Sequence, residues 1–222
     1  MTPLPPCILF DLDYTLADSS EAIVACIAYA LSALGHAPVR AADARATIGL
    51  SLPDAYARLI GRTDGEDSAR FAALFLAHAD QVMVAGTRML PGAAEVVRTL
   101  RDRGHRLGIV TSKRATIVRQ VLAREGLLNA FEAVVGSEDA PRLKPDPAPL
   151  HVALARLGCP PEDALYVGDS VADARAAEAA GVAFCAVLTG VTPREALEAY
   201  PARAVLGSVG EMGEDWNKAA WE

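Results

Sequence analysis

Short, largely apolar runs recur along the second half of this chain, each set against a stretch with helical spacing. The runs at 106–110, 133–135, 164–167 and 183–187 have the near-continuous hydrophobicity of strands buried on both faces. Between and before them, residues 93–101, 115–125, 148–157 and 171–180 carry apolar positions at helical intervals. Each helical stretch is followed by a glycine (Gly104, Gly126, Gly158, Gly181), the residue that most often stops a helix. A further run, Cys7-Ile8-Leu9-Phe10, predicts a first strand close to the N-terminus. Strand and helix in alternation predict an α/β fold with a Rossmann-like parallel sheet as its core.

Residues 16–86 break this rhythm. They read as helical, with no convincing strand. Asp18-Ser19-Ser20-Glu21 fits a capping box ahead of the apolar run at 22–34. The α/β pattern restarts at Leu90-Pro91-Gly92. The expected organisation is a core of residues 1–15 and 87–222, with a helical cap, 16–86, inserted after the first strand. Linkers near 15–18 and 84–90 would suit a cap that opens and closes. An α/β domain carrying extra helices and no such motion is the plainer alternative.

Composition narrows the classes. The 222 residues suffice for a large domain or a domain with an insert. A net charge of −7 argues against a nucleic-acid partner. The run at 22–34 is too short and too interrupted to span a bilayer, and the N-terminus has no basic, signal-like region. These features fit a cytoplasmic protein without a membrane partner, as monomer or homodimer. The cysteines Cys7, Cys26, Cys159 and Cys185 form no C-x-x-C pair and read as thiols in a reducing compartment. The four histidines show no zinc spacing. Lysine occurs only at 113, 144 and 218, so the two internal lysines stand out.

The chemistry collects where strands end. Asp11 and Asp13 follow the first strand at i and i+2, and Thr15 comes next. Alternation points both carboxylates the same way. Like charges that close ask for a cation or a proton between them. An Asx-type turn is the bland alternative. Thr111-Ser112-Lys113 follows the run at 106–110, and Gly168-Asp169-Ser170 follows that at 164–167. An open parallel sheet binds ligands at the carboxyl ends of its strands. Thr111 and Ser112 fit helix N-caps and equally an anion site. Asp169 and Asp173 fit capping of the helix at 171–180, or a metal ligand with a supporting carboxylate. Lys144 sits in a loop stiffened by Pro145, Pro147 and Pro149. It reads either as a solvated surface lysine or as a fixed charge aimed at phosphate.

Taken together, these segments resemble the haloacid dehalogenase-like hydrolase superfamily over nearly the whole chain. Asp11-x-Asp13-x-Thr15 resembles its first motif, Thr111 its second, Lys144 its third and Gly168-Asp169-Ser170-x-x-Asp173 its fourth. The insert after the first motif resembles a C1 cap, and residues 181–190 resemble phosphoglycolate phosphatase-like members. Tyr14 stands where most relatives have glycine, and Ser112 where asparagine is common.

The resemblance implies a phosphatase that acts on a small phosphorylated metabolite through an aspartyl-phosphate. It implies Asp11 as nucleophile and Asp13 as acid and base. Thr111, Ser112 and Lys144 would hold phosphate oxygens. Mg²⁺ would be bound by Asp11, the Asp13 backbone carbonyl and Asp169, with Asp173 and Ser170 in support. Dehalogenases need no acid at Asp13, and phosphonatases carry a cap lysine, which 16–86 lacks. A sugar phosphomutase shares both aspartates and needs a grip on a second anion, for which the cap arginines Arg40, Arg45, Arg58 and Arg62 are candidates, although they read equally, and more commonly, as solvated helix faces. A catalytically silent binding protein is the alternative outside enzymology. Substrate contact is expected from Tyr14 and from the segment holding Ile48, Gly49 and Ser51, which reads equally as a simple helix–helix connection.

Overall fold

The computed structural model describes residues 4–62 and 65–212; Lys218 and the ends of the expected core lie outside them. The chain divides into two compact units, Met1–Asp18 with Met89–Glu222, and Ser19–Arg88.

In the first unit the apolar runs become a six-stranded sheet. Its strands are β1 (Cys7–Phe10), β4 (Arg106–Val110), β5 (Ala133–Val135), β6 (Ala164–Gly168), β7 (Ala183–Val187) and β8 (Ala202–Leu206), with β2 (Ala17–Asp18) and β3 (Arg88–Met89) forming a separate pair. The order is β5-β4-β1-β6-β7-β8 and every pairing is parallel. β1 lies in the middle, so its carboxyl end opens between those of β4 and β6.

Alternation along the strands sorts side chains onto two faces. Ile8, Phe10, Ile109 and Val167 pack with Val96, Val97, Leu100, Val118 and Leu122. These come from α5 (Ala93–Asp102) and α6 (Ala115–Arg124). Leu9, Val110, Val135 and Tyr166 pack on the other face with Leu150, Leu154, Leu157, Ala174 and Ala177. Those helices are α7 (Ala148–Leu157) and α8 (Val171–Ala180). A layer of helices thus covers each face, the arrangement that buried parallel strands require. Gly158 and Gly181, at the ends of α7 and α8, have φ of 56° and 68°, the left-handed geometry that stops a helix.

The second unit holds α1 (Ser20–Ala33), α2 (Ala41–Arg45), α3 (Leu52–Ile60) and α4 (Gly65–Gly86). It is the helical cap inserted after β1. Ile27, Leu31, Tyr56, Phe71, Phe75 and Met83 are buried within it.

Four expectations need correction. The α1 N-cap, Ser19, makes no side-chain capping bond, so the box expected there does not form. A capping box forms instead at α8, between Ser170 and Asp173. β2 falls inside the stretch read as helical; at two residues it is too short to leave an alternating pattern. β8 was not expected although its sequence, Ala202–Leu206, is largely apolar, and the five-residue α9 (Arg194–Glu198) is too short to show helical spacing. Finally, Cys7 and Cys159 are joined in a disulfide, while Cys26 and Cys185 are free and buried. The partners are 152 residues apart and meet only because β1 pairs with β6, whose first residue, Ala164, lies opposite Cys7.

Candidate active site

The site is built on the carboxyl ends of the three central strands. Asp11 directly follows β1, and its N–H donates to the Val167 carbonyl (2.9 Å), prolonging the pairing with β6. The chain then closes a tight loop in which the Thr15, Leu16 and Ala17 N–H groups all donate to the Leu12 carbonyl. Tyr14 sits at its apex with φ of 60°, the one non-glycine residue in the left-handed region among the described residues. That geometry is one that glycine adopts more readily than a residue with a Cβ. The Thr189 hydroxyl donates to the Tyr14 carbonyl and ties the loop to the segment after β7.

Thr111 extends β4 in the same way, its N–H donating to the Val135 carbonyl (3.0 Å). The N-cap of α6 is Arg114, so neither Thr111 nor Ser112 caps that helix. Asp169 follows β6 and stands one residue before the α8 N-cap, Ser170. It does not cap the helix either. Asp173 does serve the cap, its Oδ2 accepting from the Ser170 N–H (3.0 Å) and hydroxyl. Its other oxygen is turned to Lys144.

Lys144 is no surface lysine. Its side chain is 5% exposed and its Nζ lies 2.8 Å from Asp11 Oδ1 and 2.6 Å from Asp173 Oδ1. It also donates to the Tyr166 hydroxyl (2.9 Å) and the Val110 carbonyl (3.3 Å). The Tyr166 hydroxyl in turn donates to Asp173 Oδ1 (2.8 Å). Asp13 lies apart from this cluster; its Oδ2 is 3.0 Å from Lys113 Nζ.

Electrostatics mark the place. Asp11, Asp169 and Asp173 are buried, and each offers a carboxylate oxygen within 4.8 Å of the others. Burial, then the charges of its neighbours, raises the Asp11 carboxyl from 3.8 to about 7, against the pull of Lys144. Asp169 is raised well above its usual range by burial, then by the charges of Asp173 and Asp11. Burial lowers the Lys144 ammonium, but Asp11 and Asp173 outweigh it and the net shift is upward. The Tyr166 hydroxyl is pushed up by burial and by Asp173. One lysine thus serves three clustered carboxylates, and the set has room for another positive charge. Its donors are all hard oxygens, the chemistry of a divalent cation such as Mg²⁺.

Gly190 supports that reading. A Cβ at this position would run into the Asp169 carboxylate, so only glycine leaves Asp169 where it is. Gly190→Ala should weaken divalent-metal binding at this cluster by about tenfold to a hundredfold. Titration of the metal against the protein's melting temperature reads this without any assay of turnover.

In the cap, the 46–50 turn joins α2 to α3. Gly49 has φ of 93°, and Ser51 caps α3, its hydroxyl accepting from the Asp54 N–H (3.2 Å). Thr47 is turned inward onto the Ala44 carbonyl (2.7 Å). Two of the four arginines considered for a second anion are engaged within the cap, Arg40 with Asp43 and Arg45 with Glu21.

Reading the sequence alone missed Tyr166, Gly190 and Thr189, and gave Lys113 no role. Lysine scarcity was a signal for Lys113. Tyr166 carried none, because a buried tyrosine in a strand looks like any other apolar residue until its hydroxyl finds a partner.

The haloacid dehalogenase-like hydrolase profile matches residues 8–187. Phosphoglycolate phosphatase of Cereibacter sphaeroides is 40% identical over 189 residues, covering 83% of this chain and 86% of that one. Phosphoglycolate phosphatase of Rhodospirillum rubrum is 35% identical over 221 residues, covering 96% and 91%. A haloacid dehalogenase-like hydrolase structure from Bacteroides fragilis superposes with a TM-score of 0.90 at 35% identity, over 94% of this chain and 99% of that one. CbbY from Rhodobacter sphaeroides, solved with phosphate, shares the fold at a TM-score of 0.77 and 23% identity, over 94% and 96%.

Proposed function

Because the chain belongs to the haloacid dehalogenase-like hydrolases, we propose that it is a Mg²⁺-dependent phosphatase of a small phosphorylated metabolite. The observation that carries this reading is the buried Lys144, 2.8 Å from Asp11 and 2.6 Å from Asp173, beside Asp169 at the ends of the central strands. Phosphoglycolate is the proposed substrate, after the names of the relatives.

Asp11 is the nucleophile. Its carboxylate oxygen forms a bond to phosphorus as the ester P–O bond breaks. Asp13 gives its proton to the departing alkoxide, then takes one from the water that attacks the aspartyl-phosphate. That attack breaks the bond to Asp11, releases inorganic phosphate and returns Asp11 as a carboxylate and Asp13 as the protonated acid. Thr111, Ser112 and Lys144 hold the transferring oxygens as their charge shifts. Asp173, Tyr166 and Ser170 keep the ammonium of Lys144 in place. Asp11, Asp169 and the Asp13 backbone carbonyl are the proposed metal ligands, since both Asp173 oxygens are already held. When bound, Mg²⁺ supplies the charge that lets an anionic nucleophile meet an anionic ester. Tyr14, Ile48, Gly49 and Ser51 remain the proposed contacts to the rest of the substrate.

No helix among the described residues is long and apolar enough to cross a membrane. We place the protein in the cytoplasm with its metabolite, as a monomer or homodimer without a nucleic-acid partner. The Cys7–Cys159 disulfide is the observation that pulls toward an oxidising compartment.

Incubation with phosphoglycolate or an aryl phosphate should release inorganic phosphate when Mg²⁺ is supplied and stop on chelation. Incubation with a hexose phosphate that gives its positional isomer and no free phosphate would instead establish the mutase. No turnover with metal present would leave only a binding protein.

A further inference from the structure

The ion pair between Lys113 and Asp13 is not used by the chemistry above. Its cation is no steering charge on the surface: the Lys113 side chain is 7% exposed and the Asp13 side chain 15%. The backbone around it is fixed. The Lys113 N–H donates to Thr111 Oγ1 (3.2 Å), and its carbonyl accepts from the Ser137 N–H (3.0 Å). Gly136 makes room for this corner, because a Cβ there would lie 2.7 Å from the Lys113 carbonyl oxygen. Elsewhere the chain uses arginine for its ion pairs, as in Arg40–Asp43, Arg106–Glu132 and Arg156–Asp139. Both described lysines, 113 and 144, instead meet the carboxylates of the site. A lysine ammonium is a compact point charge with three donors, able to hold one carboxylate and accept a second.

We propose that Lys113 is a specificity residue whose ammonium, held against Asp13, takes an anionic substituent carried on the leaving group. The site then favours phosphate esters of small hydroxy acids. This rests on the phosphatase reading and on Asp13 as the residue that meets the leaving oxygen.

The distances support it. The leaving oxygen must come within about 3 Å of the Asp13 carboxylate to receive its proton. With Lys113 Nζ 3.0 Å from Asp13 Oδ2, a leaving oxygen that meets Oδ2 lies at most about 6 Å from the ammonium. A carboxylate borne on the carbon next to that oxygen reaches across the gap; a neutral group there would leave the ammonium without this contact. The cation that an acidic substrate requires is absent from the 46–51 segment of the cap, and Lys113 supplies it from the core.

The test compares two esters of the same length, phosphoglycolate and 2-hydroxyethyl phosphate, by kcat/KM with Mg²⁺ supplied. The wild type should favour the acid by about tenfold or more, the usual strength of a contact to a charged group. Lys113→Met should lower that ratio at least tenfold, and Lys113→Arg should restore much of it. A wild type that hydrolyses both without preference would overturn the proposal and leave the phosphatase reading standing. So would a Lys113→Met variant in which both esters slow equally and the ratio holds. A wild type that hydrolyses neither overturns the phosphatase reading itself, and the proposal with it.

Discussion

Asp11→Asn is expected to abolish phosphate release, by on the order of 10⁴-fold or more in kcat, because an amide cannot form the phosphoryl bond. The same change should leave folding intact. Asp11 is a buried carboxyl whose folded pKa is raised to about 7, so its charge is unwelcome in the metal-free protein. Lys144 keeps its partner in Asp173 when Asp11 becomes neutral. The sign of the pH effect follows. Between 3.8 and about 7 the unfolded carboxyl has given up its proton and the folded one has kept it. The folded state therefore binds more protons, and stability falls as pH rises through that window. Chelated wild type should lose stability from acid toward neutral pH, and Asp11→Asn should flatten that slope. Denaturant melts across the window, beside a phosphate-release assay, read both effects.

Lys144→Met acts in the opposite direction on stability. It leaves Asp11, Asp169 and Asp173 clustered and buried with no ammonium among them. Removing one partner of a buried pair costs about 3–5 kcal/mol, mostly from the charge left uncompensated. Chelated Lys144→Met should show that loss in urea melts with an unchanged slope, and Mg²⁺ should return part of it. Turnover should also fall, by about 10² to 10³, because a fixed charge on the transferring oxygens is gone. The metal does not replace that charge, so activity should stay low at saturating Mg²⁺.

Local rules carried much of the fold. The apolar run at 148–157 and its glycine stop predicted α7 to the residue, and 171–180 did the same for α8. Buried parallel strands show as uninterrupted apolar segments because both of their faces are covered. Where a segment is too brief the signal is lost, as at the two-residue β2. The motif residues Asp11, Thr111, Lys144 and Asp169 were legible as polar positions at strand ends or in a stiff loop. The roles they divide were not. Asp173 read as a cap or as a supporting carboxylate; in the structure one oxygen meets Ser170 and the other Lys144. Tyr166 was hidden because its ring belongs to the core while its hydroxyl serves the site. The Cys7–Cys159 pair was hidden by its separation of 152 residues, which only the strand order brings together.

The central claim is that Asp11 carries the phosphoryl group. Asp13→Asn makes the test direct. An aryl phosphate has a leaving group that departs without a proton, so the first step proceeds, while attack by water loses its base. This variant should therefore accumulate the intermediate. The measurement is the mass of its peptides after acid quench during incubation with an aryl phosphate and Mg²⁺. One phosphoryl group on the peptide that holds Asp11 is the predicted result. Peptides without a phosphoryl group, or a label on another residue while phosphate is still released, would contradict the account.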